Sequence, residues 1–538
     1  MTAVLDRAAP PAAPLRRDRR RWAWALAGTA LVGWALAGSG LFSGPVLNPA
    51  GAAQAGRFLA AALRPEVSGE FLAVVAGSTL VTVAYAVLGA GLAVLLGALA
   101  AVPVSRTAWG GRRTGWLLTR GALALPRGVH EAVWGLLLVN VLGLDPWVGV
   151  LAIAVPYGAI TAKVFADLLD EVPRGSYDAL LAAGAGRGTA ALYGLLPPAA
   201  GGLLSYAFYR LECAVRSAVV LGLIGAGGLG YQLALSFTSL RWEQVWTTVY
   251  ALALLCLLAD VGGRAVRRRV TAPPPVPGHR RDPLLTGAVL AVAAAVGWAV
   301  WYLALSPAAL VSARTREQVS YVAAAAWPPA VDSELLGDVW ATALDALRMS
   351  VLAIAFAATG AVALAALAAR PPGPSGPVRR TAGVLTRLAL LLLRAVPPPV
   401  WALVLLFVLL PGVLPGALAL GVYTLGVLGR LVGEAAEEAD RRPAEALRAA
   451  GASPAGRWLY GTAPALAGPV LALSLYRWEV AIRDTVLVGL LGAGGIGVLL
   501  SARTSAFDWA GVTTVLAAIV LLTFLVDLVS DRARAALR

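Results

Sequence analysis

The chain has 538 residues, of which 59% are apolar and 14% charged, and a mean hydropathy of +0.76. Soluble proteins carry about 25% charged residues, so this chain belongs in a membrane. The net charge of +15 argues little for nucleic acid, because the arginines fall in short clusters between apolar segments and form no face or tail.

The few reactive side chains exclude further classes. Lys163, the sole lysine, follows Ala162, so no G-x-x-x-x-G-K-[ST] phosphate loop is present and the chain carries no motor of that type. Cys213 and Cys256 lie inside apolar segments and read as packing residues, while His130 and His279 are far apart in sequence. Neither pair supports a disulfide framework, a metal site or histidine-based catalysis.

Apolar segments long enough for a hydrocarbon core of about 30 Å occur at 22–42, 74–102, 116–144, 147–162, 198–224 and 245–259. A second set occurs at 284–305, 340–369, 384–410, 414–428, 465–491 and 509–529. This pattern predicts an all-α integral membrane protein with about twelve transmembrane helices. The run RRDRRR before the first segment resembles a signal peptide, but the apolar stretch is too long and lacks a small-residue cleavage site, so it reads as a retained helix. Residues 263–283, rich in proline and arginine, form a predicted linker between halves 1–262 and 284–538.

The halves are copies. One ungapped offset of 267 residues pairs Arg127 with Arg394, Trp134 with Trp401, Gly184 with Gly451, Tyr209 with Tyr476, Trp242 with Trp509 and Asp260 with Asp527. Placing the N-terminus in the cytoplasm puts every rich arginine cluster on the cytoplasmic side, with both termini there. Six crossings per copy then give a parallel repeat about an axis along the membrane normal.

Two stretches of each copy carry functional signals. The loops at 171–197 and 438–464 contain an acid-Ala-x-x-x-x-Gly unit and, thirteen residues after the glycine, a proline. Asp178, Ala179, Gly184 and Pro197 are matched by Glu445, Ala446, Gly451 and Pro464. This predicts a short helix with its acid near the positive end, stopped by the glycine, and a new helix after the proline.

The fifth segments place Arg210, Glu212 and Arg216, and Arg477, Glu479 and Arg483, near mid-membrane. Facing lipid, three charges would cost about 8 to 10 kcal/mol. They must therefore face protein or water. Glu212 with Arg216, and Glu479 with Arg483, are four apart and suited to pairing, which leaves two readings: clamps between helices, or an anion path lined also by Arg127 and Arg394. The motif G-x-G-x-x-G then occurs as GAGGLG and GAGGIG, but it ends an apolar helix and follows no strand, which excludes dinucleotide binding. Gly225, Gly227, Gly228 and Gly230, with Gly492, Gly494, Gly495 and Gly497, instead predict a sharp turn suited to an outer gate.

The loops resemble the cytoplasmic signature loop of ATP-binding-cassette importer permeases. They depart from it at Gly194 and Gly461, which replace an isoleucine, and at Ala463, which replaces a leucine. The run Y-R-x-E-x-x-x-R followed by V-x-x-G-x-x-G-A-G-G-x-G, together with RAVPPPVWAL at 394–403, resembles the phosphonate-type branch of that family. The resemblance implies the type I importer fold and no chemistry in this chain. It implies two copies of a separate ATPase that bind ATP and Mg and dock on the loops, and an external binding protein that delivers a small oxyanion, a phosphonate first, with phosphite or phosphate as relatives. Transport would proceed across the cytoplasmic membrane by alternating access. The alternative is a twelve-helix secondary transporter driven by an ion gradient, to which SRTAWGGRRTG at 105–115 gives a partial echo. The copies also differ: His130 and Glu131 stand opposite Pro397 and Pro398, and Ser217 opposite Asp484.

Overall fold

A computed structural model of the chain describes residues 19–42, 44–109, 113–271, 283–370 and 376–537. The described residues are almost entirely helical, with one isolated antiparallel bridge between Leu47 and Leu409. Helix is what a lipid-facing chain requires, since its backbone groups find no water and must bond within the segment.

The duplication is visible in the element boundaries. Helices Gly69–Val104, Trp147–Glu171, Leu196–Leu221 and Trp242–Thr271 recur as Ser333–Ala368, Val413–Glu438, Ala463–Leu490 and Trp509–Leu537. Every boundary agrees with the 267-residue offset to within three residues. The helix Trp242–Thr271 runs on into the predicted linker, of which 272–282, including His279, lie outside the described residues.

Among the described residues eight helices are long and apolar enough to cross a membrane, and two bent pairs raise the number to ten where the sequence predicts about twelve. The shortfall has identifiable causes. The apolar part of the first helix covers only Ala23–Ala37. The predicted third span of copy one is broken into Arg113–Ala122, Ala124–Gly128 and Glu131–Leu142. Its counterpart is Pro377–Ala395 followed by Pro398–Val408, bent by 94°. Val396 precedes Pro397 and is extended (φ −80°, ψ 121°), as a residue before proline prefers, and Val129 before His130 is extended too (φ −100°, ψ 129°).

Packing interlocks the copies. Within each, the second-segment helix lies along the fourth: Gly69–Val104 on Trp147–Glu171, and Ser333–Ala368 on Val413–Glu438. The first helices are exchanged, with Arg19–Ala37 packing on Ser333–Ala368 of copy two and Pro283–Tyr302 on Gly69–Val104 of copy one. Ala35 sits among Met349, Leu352 and Ile482, and Ala299 among Ala84, Tyr85 and Ile153. The Arg348 guanidinium lies 4.9 Å over the Trp34 ring and pairs with Asp345 at 2.9 Å. Two related seams complete the assembly: Val129 and Val133 pack with Leu500, Trp509 and Val512, and Val396 and Val400 with Leu233, Trp242 and Val245.

One close approach fixes a wall of the central space. A Cβ at Gly426 would sit 2.6 Å from the backbone nitrogen of Arg394 and 2.8 Å from the carbonyl of Leu390. Gly426→Val is expected to destabilise the protein by about 1–3 kcal/mol through overpacking. A lowered melting temperature of the detergent-solubilised chain would show this, and an unchanged one would refute the packing described.

Candidate functional site

All eight charged residues singled out for the path, Arg127, Arg210, Glu212 and Arg216 with Arg394, Arg477, Glu479 and Arg483, line one cavity of about 560 Å³ between the copies. Breaks in the third segments place Arg127 at the end of Ala124–Gly128 and Arg394 in the last turn of Pro377–Ala395, beside this space. Irregular backbone at membrane depth is tolerated where it lines such a cavity. Among the described lining residues nine are Arg or Lys and six are Asp or Glu, an excess of three positive charges.

The structure divides the charges into two groups. Glu212 is clamped by Arg216 at 3.5 Å and by Arg267 at 3.1 Å. In copy two the predicted pairing of Glu479 with Arg483 is not made. Glu479 binds Arg534 at 2.6 Å and accepts from Ser530 at 2.6 Å, while Arg483 Nε donates to the Glu479 backbone carbonyl at 2.9 Å. Helical spacing placed Arg483 within reach, but the sixth helix, packed alongside, supplies Arg534 as the partner instead. Arg267 and Arg534 were missed by sequence reasoning, although they share the 267 offset and follow Asp260 and Asp527 on the same helices.

The second group has no carboxylate partner among the described residues. Arg210, 8% exposed, donates from Nε to the Tyr206 hydroxyl at 2.8 Å and stacks 4.9 Å from the Tyr157 ring. Arg477, 9% exposed, lies 5.8 Å from the Tyr423 ring and leaves Nε and Nη2 without a hydrogen-bond partner. Arg127 makes no ion pair among the described residues.

Asp260, which the sequence only matched to Asp527, ties the copies together. It pairs with Arg264 on its own helix and with Arg394 at 3.0 Å and Arg430 at 3.2 Å in copy two. The equivalent Asp527 makes no ion pair among the described residues, and its Oδ1 is buried without a partner.

At the far end of the fifth helices a polar cluster crosses the seam. His130 caps Glu131–Leu142, its Nδ1 accepting from the Ala132 N–H at 3.1 Å, so the neutral ring carries its hydrogen on Nε2. That nitrogen lies 3.4 Å from Asp484 and 3.6 Å from Glu131. Ser217 donates to Glu131 at 2.6 Å, and the Tyr157 hydroxyl lies 2.6 Å from Ser217. Cys213, read from the sequence as a packing residue, also lines the cavity.

The glycine motif makes the turn its spacing predicts. Gly225, Gly227 and Gly228 have φ of +106°, +93° and +74°, and Gly492, Gly494 and Gly495 have +87°, +98° and +75°. In copy one the chain bends by 54° here. Gly230 and Gly497 complete the bend, since Cβ atoms there would lie 1.9 and 2.1 Å from the carbonyls of Val219 and Val486.

Each signature loop folds as a compact helical hairpin. Gly175–Ala182, with Asp178 and Ala179 in its first turns, ends at Gly184 (φ +85°), where Gly184 N bonds Leu181 O and Ala185 N bonds Leu180 O, both at 3.0 Å. Arg442–Ala449, with Glu445 and Ala446, ends likewise at Gly451 (φ +82°). This pair of hydrogen bonds around a left-handed glycine closes off the last carbonyls of a helix. Asp440, just ahead of the second hairpin, accepts from the Arg442 N–H at 3.0 Å, which holds its carboxyl below the usual carboxylate range.

A further helical segment, absent from the sequence reading, then fills the gap before Pro197 and Pro464: Arg187–Gly194 in copy one and 454–462 in copy two. Its return is allowed by the two departures from the family pattern. A Cβ at Gly194 would lie 2.9 Å from Tyr177 Cα, and one at Gly461 2.7 Å from Ala444 Cα. The fifth helices start at Leu196 and Ala463, with Pro197 and Pro464 in their first turns.

Comparison with known proteins agrees with the duplication. The family described as binding-protein-dependent transport system inner membrane component matches at residues 93–272 and again at 361–538. The phosphate-import permease protein PhnE of Mycolicibacterium smegmatis is 29% identical over 433 residues, which cover 77% of this chain and 76% of that protein. The phosphite transport system permease protein PtxC of Stutzerimonas stutzeri is 33% identical over 184 residues, covering 34% of this chain and 66% of PtxC. The putative cryptic phosphonate transport system permease protein PhnE2 of Escherichia coli K12 is 38% identical over 117 residues, covering 22% of this chain and 96% of PhnE2. No solved structure matches the chain.

The unequal aspartates give a direct test. Removing the charge of Asp260 leaves Arg394 and Arg430 facing each other, and breaking such a buried pair costs about 3–5 kcal/mol. Asp260→Asn is therefore expected to lower the melting temperature of the solubilised chain well below that of Asp527→Asn. Equal shifts would mean that the two aspartates do the same structural work.

Proposed function

The chain belongs to the family of binding-protein-dependent transport system inner membrane components, with two copies of the domain in one polypeptide, and on that premise we propose that both copies enclose one path for a small phosphorus oxyanion. The chain is a multi-pass inner-membrane permease and a non-catalytic component of an ATP-binding-cassette importer.

The observation that carries the cargo reading is that Arg127, Arg210, Arg477 and Arg483 line the shared cavity without a carboxylate partner among the described residues. A guanidinium fork meets a tetrahedral oxyanion with paired, charge-assisted hydrogen bonds. The clamped residues, Glu212 with Arg267 and Glu479 with Arg534, hold the fifth helices against the sixth. Phosphonate, phosphite and phosphate all fit this chemistry, and the names of the relatives fall within the same class.

Around that path we assign twelve membrane segments, six per copy, with both termini and both hairpins in the cytoplasm where the arginine clusters lie. Two copies of a separate ATPase, holding ATP and Mg, would dock on the hairpins at Asp178, Ala179, Gly184 and Pro197, and at Glu445, Ala446, Gly451 and Pro464. A binding protein would deliver cargo to the opposite end, where the glycine turns form the gate. ATP-driven closure of the ATPases then rocks one half against the other around the cavity.

Purification from native membranes in mild detergent should bring down an ATPase and a binding protein, and liposomes holding the complex should accumulate labelled phosphonate or phosphate only with ATP. Uptake by the chain alone under an ion gradient would overturn this reading in favour of a secondary transporter. Arg210→Gln and Arg477→Gln each remove a charge-assisted contact of about 1.5–3 kcal/mol, so uptake should fall about tenfold or more with the complex intact. Gly461→Ala should reduce recovery of the ATPase by distorting one hairpin. Full recovery would place docking elsewhere.

A further inference from the structure

The two copies are near replicas around the cavity, and a set of positions at which their chemistry differs gathers at one place. His130 and Glu131 face Pro397 and Pro398 in the repeat, Ser217 faces Asp484, and Tyr157 faces Thr424. The folded chain joins Tyr157, Ser217, Glu131, His130 and Asp484 in one chain of contacts between 2.6 and 3.6 Å. Four of these residues come from copy one and Asp484 from copy two. All five line the cavity.

Two carboxylates on the wall of a space that receives an anion repel it unless a proton lies between them. Here they keep acceptor capacity: Ser217 donates to only one oxygen of Glu131, and Asp484 is approached by His130 alone among the described residues. A carboxylate offers about four acceptor positions. Donors in excess are available in the same cavity. Arg483 lines it with no ion pair among the described residues, and Arg477, nine-tenths buried, has two nitrogens without partners. The site therefore presents donors to ionised oxygens and acceptors to a hydroxyl.

At mildly acidic pH phosphate, phosphite and alkylphosphonates are monoanions that carry both ionised oxygen and at least one P–OH donor. Sulfate at neutral pH carries acceptors only. We propose that the Glu131–Asp484 edge accepts a hydrogen bond from a protonated oxygen of the cargo, and so selects phosphorus oxyanions that carry a P–OH group over fully ionised tetrahedral anions. The inference rests on the oxyanion-path reading above. His130 and Ser217 act as positioning residues: the imidazole holds the two carboxylates together across the seam, and the hydroxyl orients Glu131. Copy two cannot build this edge on its own side, because Pro397 and Pro398 supply no polar side chain.

The test uses the purified full-length chain in nanodiscs at mildly acidic pH, with bound radiolabelled phosphate competed by methylphosphonate or by sulfate. In the wild type sulfate should compete at least about tenfold more weakly than methylphosphonate, as expected where a buried acceptor is left without its donor. Asp484→Asn and Glu131→Gln, one in each copy, should each bring the two competitors close together, while Asp484→Glu keeps most of the gap. Ser217→Ala should narrow it in part. Both competitors are read on one preparation, so partial loss of folded protein cancels from the ratio. Binding of phosphate with no preference over sulfate, or with a preference that both carboxylate variants retain, overturns this inference and leaves the path reading standing. Failure of the wild type to bind any oxyanion overturns both.

Discussion

The constraint behind this architecture is the cost of placing ionised side chains at membrane depth. Arg210, Glu212, Arg477 and Glu479 are each taken from water by helices that could otherwise be wholly apolar, and the expense is met in only two ways. Some charges are neutralised against a neighbouring helix, as Glu212 is by Arg267 and Glu479 by Arg534. The others face the space between the copies. Because neither copy encloses that space by itself, those charges have their setting only when both copies are present, and assembly and formation of the cavity become the same event.

The same constraint explains where regular structure stops. Backbone departs from helix at 129–130, at 396–397 and in the glycine turns, all beside the cavity or at its end. Departures from the family pattern that look like defects in the sequence also acquire causes. Gly194 and Gly461 replace a bulky residue because the hairpin folds back onto Tyr177 and Ala444 with no room for a side chain.

Much of this was legible from the residues. The 267-residue offset fixed the duplication and paired the elements, since a repeat preserves spacing wherever packing must be preserved. The cost of buried charge pointed to Arg210, Glu212 and Arg216 and their counterparts, all of which meet in one cavity. What stayed hidden depends on contacts distant in sequence. Hydropathy sees an apolar run at 116–144 and cannot see that His130 and Glu131 break it. Helical spacing favoured Glu479 with Arg483, and only the packing of the sixth helix brings Arg534 to within 2.6 Å. Exchange of the first helices leaves no trace in the pattern, because an apolar helix carries no label for the wall it will cover.

That exchange sets a schedule for biosynthesis. Arg19–Ala37 leaves the ribosome first, yet the wall it packs on, Ser333–Ala368, begins almost 300 residues later. At about 5–20 residues per second the first helix waits about 15–60 s in the bilayer with its eventual contact face turned to lipid. Its weak polarity suits that interval, since a helix of this kind is as comfortable among acyl chains as among Met349 and Leu352. Pro283–Tyr302 has no such delay, because Gly69–Val104 is already in place when it emerges. The first helix is thus left without its wall until the second half arrives, and its docking onto Ser333–Ala368 ties the earliest part of the chain to the later copy.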